Sequence, residues 1–127
     1  MSEMAKSWAD QARYDLETAR AMLESGRYLY VLFCCQQSVE KALKGLMVQK
    51  SGGFPPRIHN LVQLAESADV EMAIERRRFL GELTAYHIQS RYPEEMSKLA
   101  ATIRREVAEE SLKKTEAEVQ WLLSLLK

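Results

Sequence analysis

A chain of 127 residues has the length of one domain and can bury a hydrophobic core without disulfides or metal ions. Apolar residues make up 46% of it and charged residues 28%, which is typical of a globular protein. Lysine plus arginine equals aspartate plus glutamate, at 18 each. This balance argues against a general electrostatic grip on nucleic acid, so we expect no specificity for DNA, although a local basic patch is compatible with it.

The cysteines and the N-terminus indicate a reducing compartment. Cys34 and Cys35 are the only cysteines, and adjacent residues on a helix point about 100° apart and cannot readily bridge. No apolar run approaches the roughly 18 residues of a membrane span. Residues 1–6 lack the basic-then-apolar layout of a signal peptide. We therefore expect a cytoplasmic protein without disulfides and without a membrane partner.

Apolar residues at steps of three and four predict a first helix from about Glu3 to Glu24. Ser25-Gly26 ends it, since glycine suits a left-handed cap. The short link that follows predicts an antiparallel hairpin with the second helix. The apolar positions of the first helix are Ala5, Trp8, Ala12, Leu16, Ala19 and Leu23.

The second helix is predicted from about Tyr28 to Gln49, and polar residues adjoin its apolar stripe. Gln36, Glu40 and Lys44 recur every four residues and form what we call the polar ladder. Gln36 should point towards the core or a partner, where an unpaired polar group costs about 1–3 kcal/mol. The apolar stripe consists of Leu32, Cys35, Val39, Leu43 and Leu46.

Two Pro-containing turns separate the remaining helices. Phe54-Pro55-Pro56 predicts an extended connector, after which His59 or Asn60 could cap a short helix over roughly Leu61 to Ser67. Asp69 is a good N-cap for a fourth helix from about Val70 to Ser90. Its basic cluster Arg76-Arg77-Arg78 is expected to form a solvated face, with Glu71, Glu75 and Glu82 as ionic partners.

Pro93 ends the fourth helix because Tyr92 must be extended before it. The segment from Met96 to Ala101 reads equally as a loop or as an early helical turn. Thr102 is the expected N-cap of a last helix to about Leu126, whose apolar positions form a coiled-coil-like seam. Trp121 lies off this seam, where it could serve a dimer or partner contact. The seam consists of Ala108, Leu112, Thr115, Val119, Leu122 and Leu126.

The pattern as a whole predicts an all-α fold in a single domain over residues 1–127. No strand-like alternation, internal repeat or low-complexity tract occurs in the sequence. Short links between amphipathic helices favour an antiparallel four-to-five-helix up-and-down bundle, with four long helices and one short one.

Enzyme and cofactor motifs are sparse. The sequence has no Walker-type phosphate loop and no GxGxxG, so no nucleotide cofactor is predicted. His59 and His87 lie 28 residues apart with no cysteine or carboxylate at metal spacing, so no metal site is predicted. Cys34 and Cys35 lie mid-helix beside core positions and read as unreactive small apolar residues.

Three polar features nevertheless invite a functional interpretation: the polar ladder, His59 after the Pro-Pro turn, and Arg91-Tyr92-Pro93. Each has a structural alternative, respectively a surface ion pair, a helix cap and a helix stop. The functional interpretation joins them. Arg91 would meet Glu40 in a partly buried charge pair, and with Lys44 and His59 it would line a small cleft for a phosphate or RNA backbone.

Seven short segments, in chain order, carry a family resemblance. They are Trp8, Asp15-Leu16-Glu17-Thr18-Ala19, Gly26-Arg27-Tyr28, Gln37-Ser38-Val39-Glu40-Lys41-Ala42-Leu43-Lys44, His59-Asn60-Leu61, Arg91-Tyr92-Pro93 and Ala108-Glu109-Glu110-Ser111-Leu112. Together they resemble the HEPN (higher eukaryotes and prokaryotes nucleotide-binding) domain family over nearly the whole chain. The resemblance implies an antiparallel helical bundle that forms a homodimer, with its binding or active cleft at the dimer interface.

The family resemblance also implies partners and an activity. Many small prokaryotic HEPN proteins pair with a minimal nucleotidyltransferase, in some cases as toxin–antitoxin modules in which the HEPN protein is a metal-independent ribonuclease. Ribonuclease members carry an arginine, four to six residues, then a histidine. This chain departs from that pattern, since one residue separates Arg57 from His59, eight separate Arg78 from His87, and no histidine follows Arg91.

The sequence thus predicts a homodimeric module that binds a nucleotide or RNA, or docks a nucleotidyltransferase, rather than an enzyme. The predicted ligand-binding residues are Gln36, Glu40, Lys44, His59, Arg91 and Tyr92. A metal-independent ribonuclease is the first alternative, with Arg91, His59 and His87 as its possible catalytic residues. A purely structural interaction protein is the second.

Overall fold

The computed structural model describes residues 2–88 and 91–127, and within these ranges the chain is all-α. The predicted helical bundle is confirmed, with six helices in the described residues rather than four or five. They are α1 (Glu3–Glu24), α2 (Tyr28–Ser51), α3 (Leu61–Ser67), α4 (Ile74–Thr84), α5 (Pro93–Ala101) and α6 (Arg105–Ser124).

The first two helices form the predicted antiparallel hairpin, which is the most extensive helix contact in the fold. At the end of α1 the Gly26 N–H donates to Leu23 O and the Arg27 N–H to Met22 O, with Gly26 at φ +75°. This is the Schellman pattern, in which a left-handed residue satisfies the last carbonyls of a helix. The face that α1 buries is mostly alanine, with Ala5, Ala9, Ala12 and Ala19 beside Leu16.

α2 is the central helix and is buried on most of its circumference. α6 packs against both α2 and α1, and α3, α4 and α5 also contact α2. All five predicted apolar positions of α2 are buried, and so are five of the six predicted seam positions of α6. Leu126 is half-buried, because α6 ends at Ser124. A polar side chain on α2 therefore faces the interior at almost any position, which explains the burial of the polar ladder.

The predicted fourth helix is too long at both ends, and Asp69 is not its N-cap. Asp69 adopts φ +55° and closes α3, with its N–H donating to Glu66 O and the Val70 N–H to Ala65 O. A short polar residue tolerates this left-handed conformation, so Asp69 takes the place of a C-terminal glycine. α4 begins at Ile74 and ends at Thr84. The predicted end at Ser90 lies outside the described residues.

The undecided segment from Met96 to Ala101 is helical, as part of α5. Pro93 occupies its first turn and Tyr92 is extended, as predicted. Thr102 is not the N-cap of the last helix. Its hydroxyl donates to Leu99 O, so it ends α5, and Arg104 precedes α6 instead.

The arginine cluster has different partners from those predicted. Arg76 donates to Glu118 at 3.1 Å, and Arg77 donates to Glu66 at 2.8 Å. These arginines therefore fasten α4 to α6 and to α3 instead of forming a face paired with its own helix. No helix in the described ranges combines the length and the apolar character that crossing a membrane requires.

Candidate functional site

The polar ladder is the centre of the site, and its side chains are almost completely buried. Gln36, Glu40 and Lys44 keep only 0%, 4% and 6% of their exposed surface. They share one face of α2 because they recur every four residues. Burial of such groups is costly unless they are hydrogen-bonded, and each of the three has a partner.

Glu40 accepts hydrogen bonds through both carboxylate oxygens. Lys44 Nζ donates to Oε2 at 3.0 Å, Gln36 Nε2 donates to Oε1 at 3.0 Å, and His59 Nδ1 lies 3.0 Å from Oε1. Burial by itself raises the pKa of Glu40, but the hydrogen bonds from Gln36, Lys44 and His59 outweigh it and hold that pKa below its usual value. The group is therefore a carboxylate at neutral pH.

Two histidines from separate loops meet beside this carboxylate. The His59 and His87 rings are stacked, with centroids 3.8 Å apart and planes 13° apart. Thr84 holds their loops together, because its Oγ1 accepts from the Leu61 N–H at the start of α3 and donates to Leu80 O in α4. The sequence offers no signal for this pairing, which depends on how α3 packs on α4.

The neighbours of the two rings show which ring nitrogen donates and which accepts. A carboxylate only accepts hydrogen bonds, so His59 Nδ1 is the donor to Glu40. Gln37 Nε2 donates to Gln36 Oε1 and lies 3.4 Å from His87 Nδ1. Since an amide nitrogen only donates, His87 Nδ1 is the acceptor and Nε2 carries the proton. Burial, then the neighbouring His59, lowers the pKa of His87, which is therefore neutral at pH 7.

An apolar groove adjoins the histidine pair. Its volume is about 550 Å³, within the range of small-molecule sites. Phe33 joins the groove to the histidines, since its ring centroid lies 6.3 Å from that of His87, and Tyr30 packs edge-on against Phe33 at 6.5 Å. We call this the aromatic groove, and its lining consists of Tyr30, Phe33, Ile88, Arg91, Pro93, Met96 and Ser97.

Arg91 lies in the aromatic groove, and the predicted pair with Glu40 is wrong. Its guanidinium donates to Glu95 at 3.3 Å and to Ala85 O at 2.8 Å, while Glu40 is engaged by other groups. Arg91 Nε is buried and has no hydrogen-bond partner among the residues that the structure describes. Tyr92, also predicted at the site, is extended and largely exposed.

The structure thus brings four of the six predicted binding residues into direct contact: Gln36, Glu40, Lys44 and His59. Lys44 lies too deep to reach a ligand, with Nζ bonded to Glu40 and 5.7 Å from the centre of the Trp8 ring. Its role is to balance the buried carboxylate.

Three side chains at the site were not predicted as site residues, although their spacing in the sequence is informative. Tyr30, Phe33 and Gln37 follow one another at steps of three and four on α2, next to the polar ladder. Such a stripe of aromatic and amide side chains predicts a shared face. The cysteines are not part of the site. Burial raises the pKa of Cys34 to about 11 and that of Cys35 to about 12, so neither is a thiolate at neutral pH.

The comparisons with known proteins agree with this architecture. The model of the HEPN domain family matches residues 5–125. The crystal structure of TT1696 from Thermus thermophilus is similar with a TM-score of 0.83 and 28% identity, covering 97% of this chain and 98% of that one. The crystal structure of ST0689, an archaeal HEPN homologue, is similar with a TM-score of 0.79 and 25% identity, covering 99% and 100%.

No curated protein matches the chain. The match to the family model nevertheless spans almost every residue, from the alanine face of α1 to the end of α6. Both solved structures share the bundle over essentially their full length. By sequence and by fold, this chain belongs to the HEPN domain family.

Proposed function

We propose that this HEPN protein binds a nucleotide or a segment of RNA across the histidine pair and the aromatic groove. The observation that carries the proposal is the contact between Phe33 and His87, which places an aromatic groove and two imidazoles side by side. A nucleotide needs two kinds of surface, an aromatic one for its base and hydrogen-bond donors for its phosphate.

The two surfaces have distinct roles in this proposal. A base stacks on Phe33, an interaction worth about 1–3 kcal/mol for each base in single-stranded nucleic acid. The phosphate accepts from the Nε2–H of His87 and from the guanidinium of Arg91, which lines the groove. Glu40 and Lys44 lie beneath and keep His59 in place.

Substitution of Arg91 by alanine tests this arrangement. We expect Arg91→Ala to weaken binding of ATP or of a short single-stranded RNA about tenfold, equivalent to roughly 1.4 kcal/mol, because a charged donor to the phosphate is lost. Phe33→Ala should weaken binding to a similar extent through lost stacking. Isothermal titration calorimetry or fluorescence anisotropy measures both effects.

Arg105→Ala is the matched control. Arg105 also pairs with a glutamate four residues on, Glu109, but it lies in α6 outside the groove. Its removal should leave affinity unchanged. If the wild type, Arg91→Ala and Phe33→Ala proteins bind the nucleotide or RNA with equal affinity, and circular dichroism shows all three to be folded, the nucleotide does not bind at this face.

A metal-independent ribonuclease is the second function that a specific observation favours. His59 Nε2, the ring nitrogen that does not bond Glu40, would be the base, and the adjacent His87 would be the acid in its imidazolium form, the minor form at neutral pH, although the family's arginine–histidine spacing is not met. Cleavage of RNA by its own 2′-hydroxyl needs one group to take a proton and another to give one.

The ribonuclease alternative has a clear product test. Single-stranded RNA incubated with the protein in the presence of EDTA should yield fragments that end in a 2′,3′-cyclic phosphate. His59→Gln and His87→Gln should each slow cleavage by about 10²-fold or more, as removal of a general acid or base does. If the RNA stays intact with excess pure protein, the protein is not a ribonuclease and only the binding function remains as a proposal.

The homodimer and the nucleotidyltransferase partner are part of the same proposal. No side chain of α5 is fully buried within one chain, since Met96 and Leu99 are only half-buried, and Tyr30 and Tyr92 are exposed near it. An amphipathic helix with an uncovered face supports a second copy as the occupant. Light scattering tests the dimer, and copurification with the nucleotidyltransferase encoded beside this gene, if one is present, tests a toxin–antitoxin-like pair.

A further inference from the structure

We propose that Glu40, His59 and His87 form a binding site for a divalent transition-metal ion, with Zn²⁺ as the ion that fits best. Each residue offers one ligand atom, and these atoms all lie within 4.8 Å of one another. Two imidazoles and one carboxylate are a known ligand set for zinc, with a fourth position left open. The metal site shares His59 and His87 with the proposed nucleotide site, but metal binding is tested without a nucleotide.

The distance between two of the three ligand atoms is close to that of an assembled site. Zinc–ligand bonds of 2.0–2.1 Å place tetrahedral ligands roughly 3.3 Å apart. Glu40 Oε1 and His59 Nδ1 are 3.0 Å apart, so these two atoms need little movement. An ion between them would replace the proton that they share, as metal binding commonly does.

His87 supplies the third ligand by turning its ring. Two stacked rings cannot both aim a lone pair at one ion, so the stack with His59 must open. His87 makes only a long contact of 3.4 Å with Gln37, and the His59 side chain is 45% exposed. Glu40 holds the His59 ring, whereas the His87 ring has only this long contact among the described residues, so rotation of the His87 ring about its Cβ–Cγ bond costs little.

The charge of Lys44 affects how tightly the site binds a metal ion and which further ligand the bound ion attracts. Lys44 bonds the second oxygen, Oε2, and leaves Oε1 to the ion. With one carboxylate, one ammonium and neutral imidazoles, the loaded site carries a net charge of about +2. Its open position therefore attracts an anion, and the neighbouring Lys44 makes zinc affinity moderate rather than high.

Metal titration of the full-length, tag-free protein tests the site. We expect one equivalent of Zn²⁺ per chain by calorimetry, and Co²⁺ as a probe should give the intense visible absorption of a tetrahedral complex. The chain contains only two histidines, so His59→Gln and His87→Gln report on this site alone. Each should lower the affinity roughly tenfold or more and weaken the Co²⁺ bands.

A double variant, Cys34→Ser with Cys35→Ser, is the matched control because cysteine is the common zinc ligand that the chain offers besides histidine and carboxylate. It should bind Zn²⁺ like the wild type. Circular dichroism establishes that each variant is folded. The proposal is overturned if the histidine variants keep the wild-type affinity, if the cysteine variant alone loses it, or if the wild type takes up no Zn²⁺ or Co²⁺ at millimolar concentration.

Discussion

At the scale of single residues, two buried glutamates show how partners decide the charge of an acid. Glu40 has three hydrogen-bond donors, and its pKa falls. Glu118 is equally buried but has Arg76 as its donor among the described residues, and burial raises the pKa of Glu118 despite that arginine. The Arg76 guanidinium lies 3.9 Å from the centre of the Trp121 ring, which fixes it over Glu118. Trp121 therefore stabilises the Arg76–Glu118 ion pair within the chain.

Glu118 predicts an unusual pH dependence of stability. Because its folded pKa lies above the ordinary value of 4.5, the folded state holds this proton more tightly than the unfolded state. Its ionisation therefore costs stability at neutral pH, and the cost disappears as pH falls through the folded pKa towards 4.5. Relative to Glu118→Gln, the wild type should gain unfolding free energy over that interval, as measured by urea denaturation.

Glutamine keeps a hydrogen-bond acceptor for Arg76 and does not titrate, so the difference between the two proteins isolates Glu118. Glu75 and Lys114 line a surface pocket together with Arg76 and Glu118, and both charges are present in both proteins. A difference that stays constant would show that Arg76 cancels the effect of burial, and one that shifts in favour of Glu118→Gln on acidification would show that Arg76 outweighs it.

At the scale of elements, a helix end could be predicted from the sequence where the capping residue bonds only its near neighbours in the chain. The predicted bounds of α1 and α3 match the structure, because Gly26 and Asn60 act within a few residues of themselves, and Asn60 Oδ1 accepts from the Gln63 N–H. Asp69 was wrongly predicted to begin a helix. Aspartate favours the N-cap position but also tolerates the left-handed conformation that ends a helix. The positive φ of Asp69 and its ion pair with Lys50 of α2 appear only in the folded chain.

The two glycines after α2 provide a paired test of backbone strain. Gly52 ends α2 at φ +75°, whereas Gly53 does not lie in the left-handed region, and an added Cβ would meet nothing within 4 Å at either position. Gly52→Ala should therefore lower the unfolding free energy by about 1 kcal/mol through conformation alone. Gly53→Ala should stay within about 0.5 kcal/mol of the wild type. Urea denaturation of both proteins gives the comparison, and equal effects would contradict it.

At the scale of the whole molecule, the bundle could be predicted and the site only in part. The apolar stripes of α2 and α6 determine the packing, and Gln36, Glu40 and Lys44 were identified because polar groups beside a core stripe need partners. The pairing of His59 with His87 could not be predicted. It depends on the hydrogen bond from the Leu61 N–H to Thr84 Oγ1, which links α3 to α4. No spacing or periodic pattern in the sequence indicates that contact.

Cys35 should report on opening of the whole bundle. Its side chain is fully buried between α2 and α6, where Thr115 is its neighbour, and its pKa of about 12 keeps it protonated. In a Cys34→Ser protein, Cys35 should react with a thiol reagent many times more slowly than a free thiol, since only the unfolded state exposes it. The reaction rate should rise with urea in parallel with unfolding.

The more accessible Cys34, studied in Cys35→Ser, is the control and should react faster than Cys35. Rapid labelling of Cys35 under native conditions would mean that α6 detaches from α2 without global unfolding.

The alanine-faced hairpin of α1 and α2 has a consequence for the order of folding. Residues 25–27 join the two helices, so their contacts close a short loop and cost little chain entropy. Chains rich in such local contacts fold quickly. The histidine pair instead requires three distant segments to meet: α2, the loop before α3 and the end of α4. We therefore expect a nascent chain to form its scaffold early and to gain ligand affinity only in the last stage of folding.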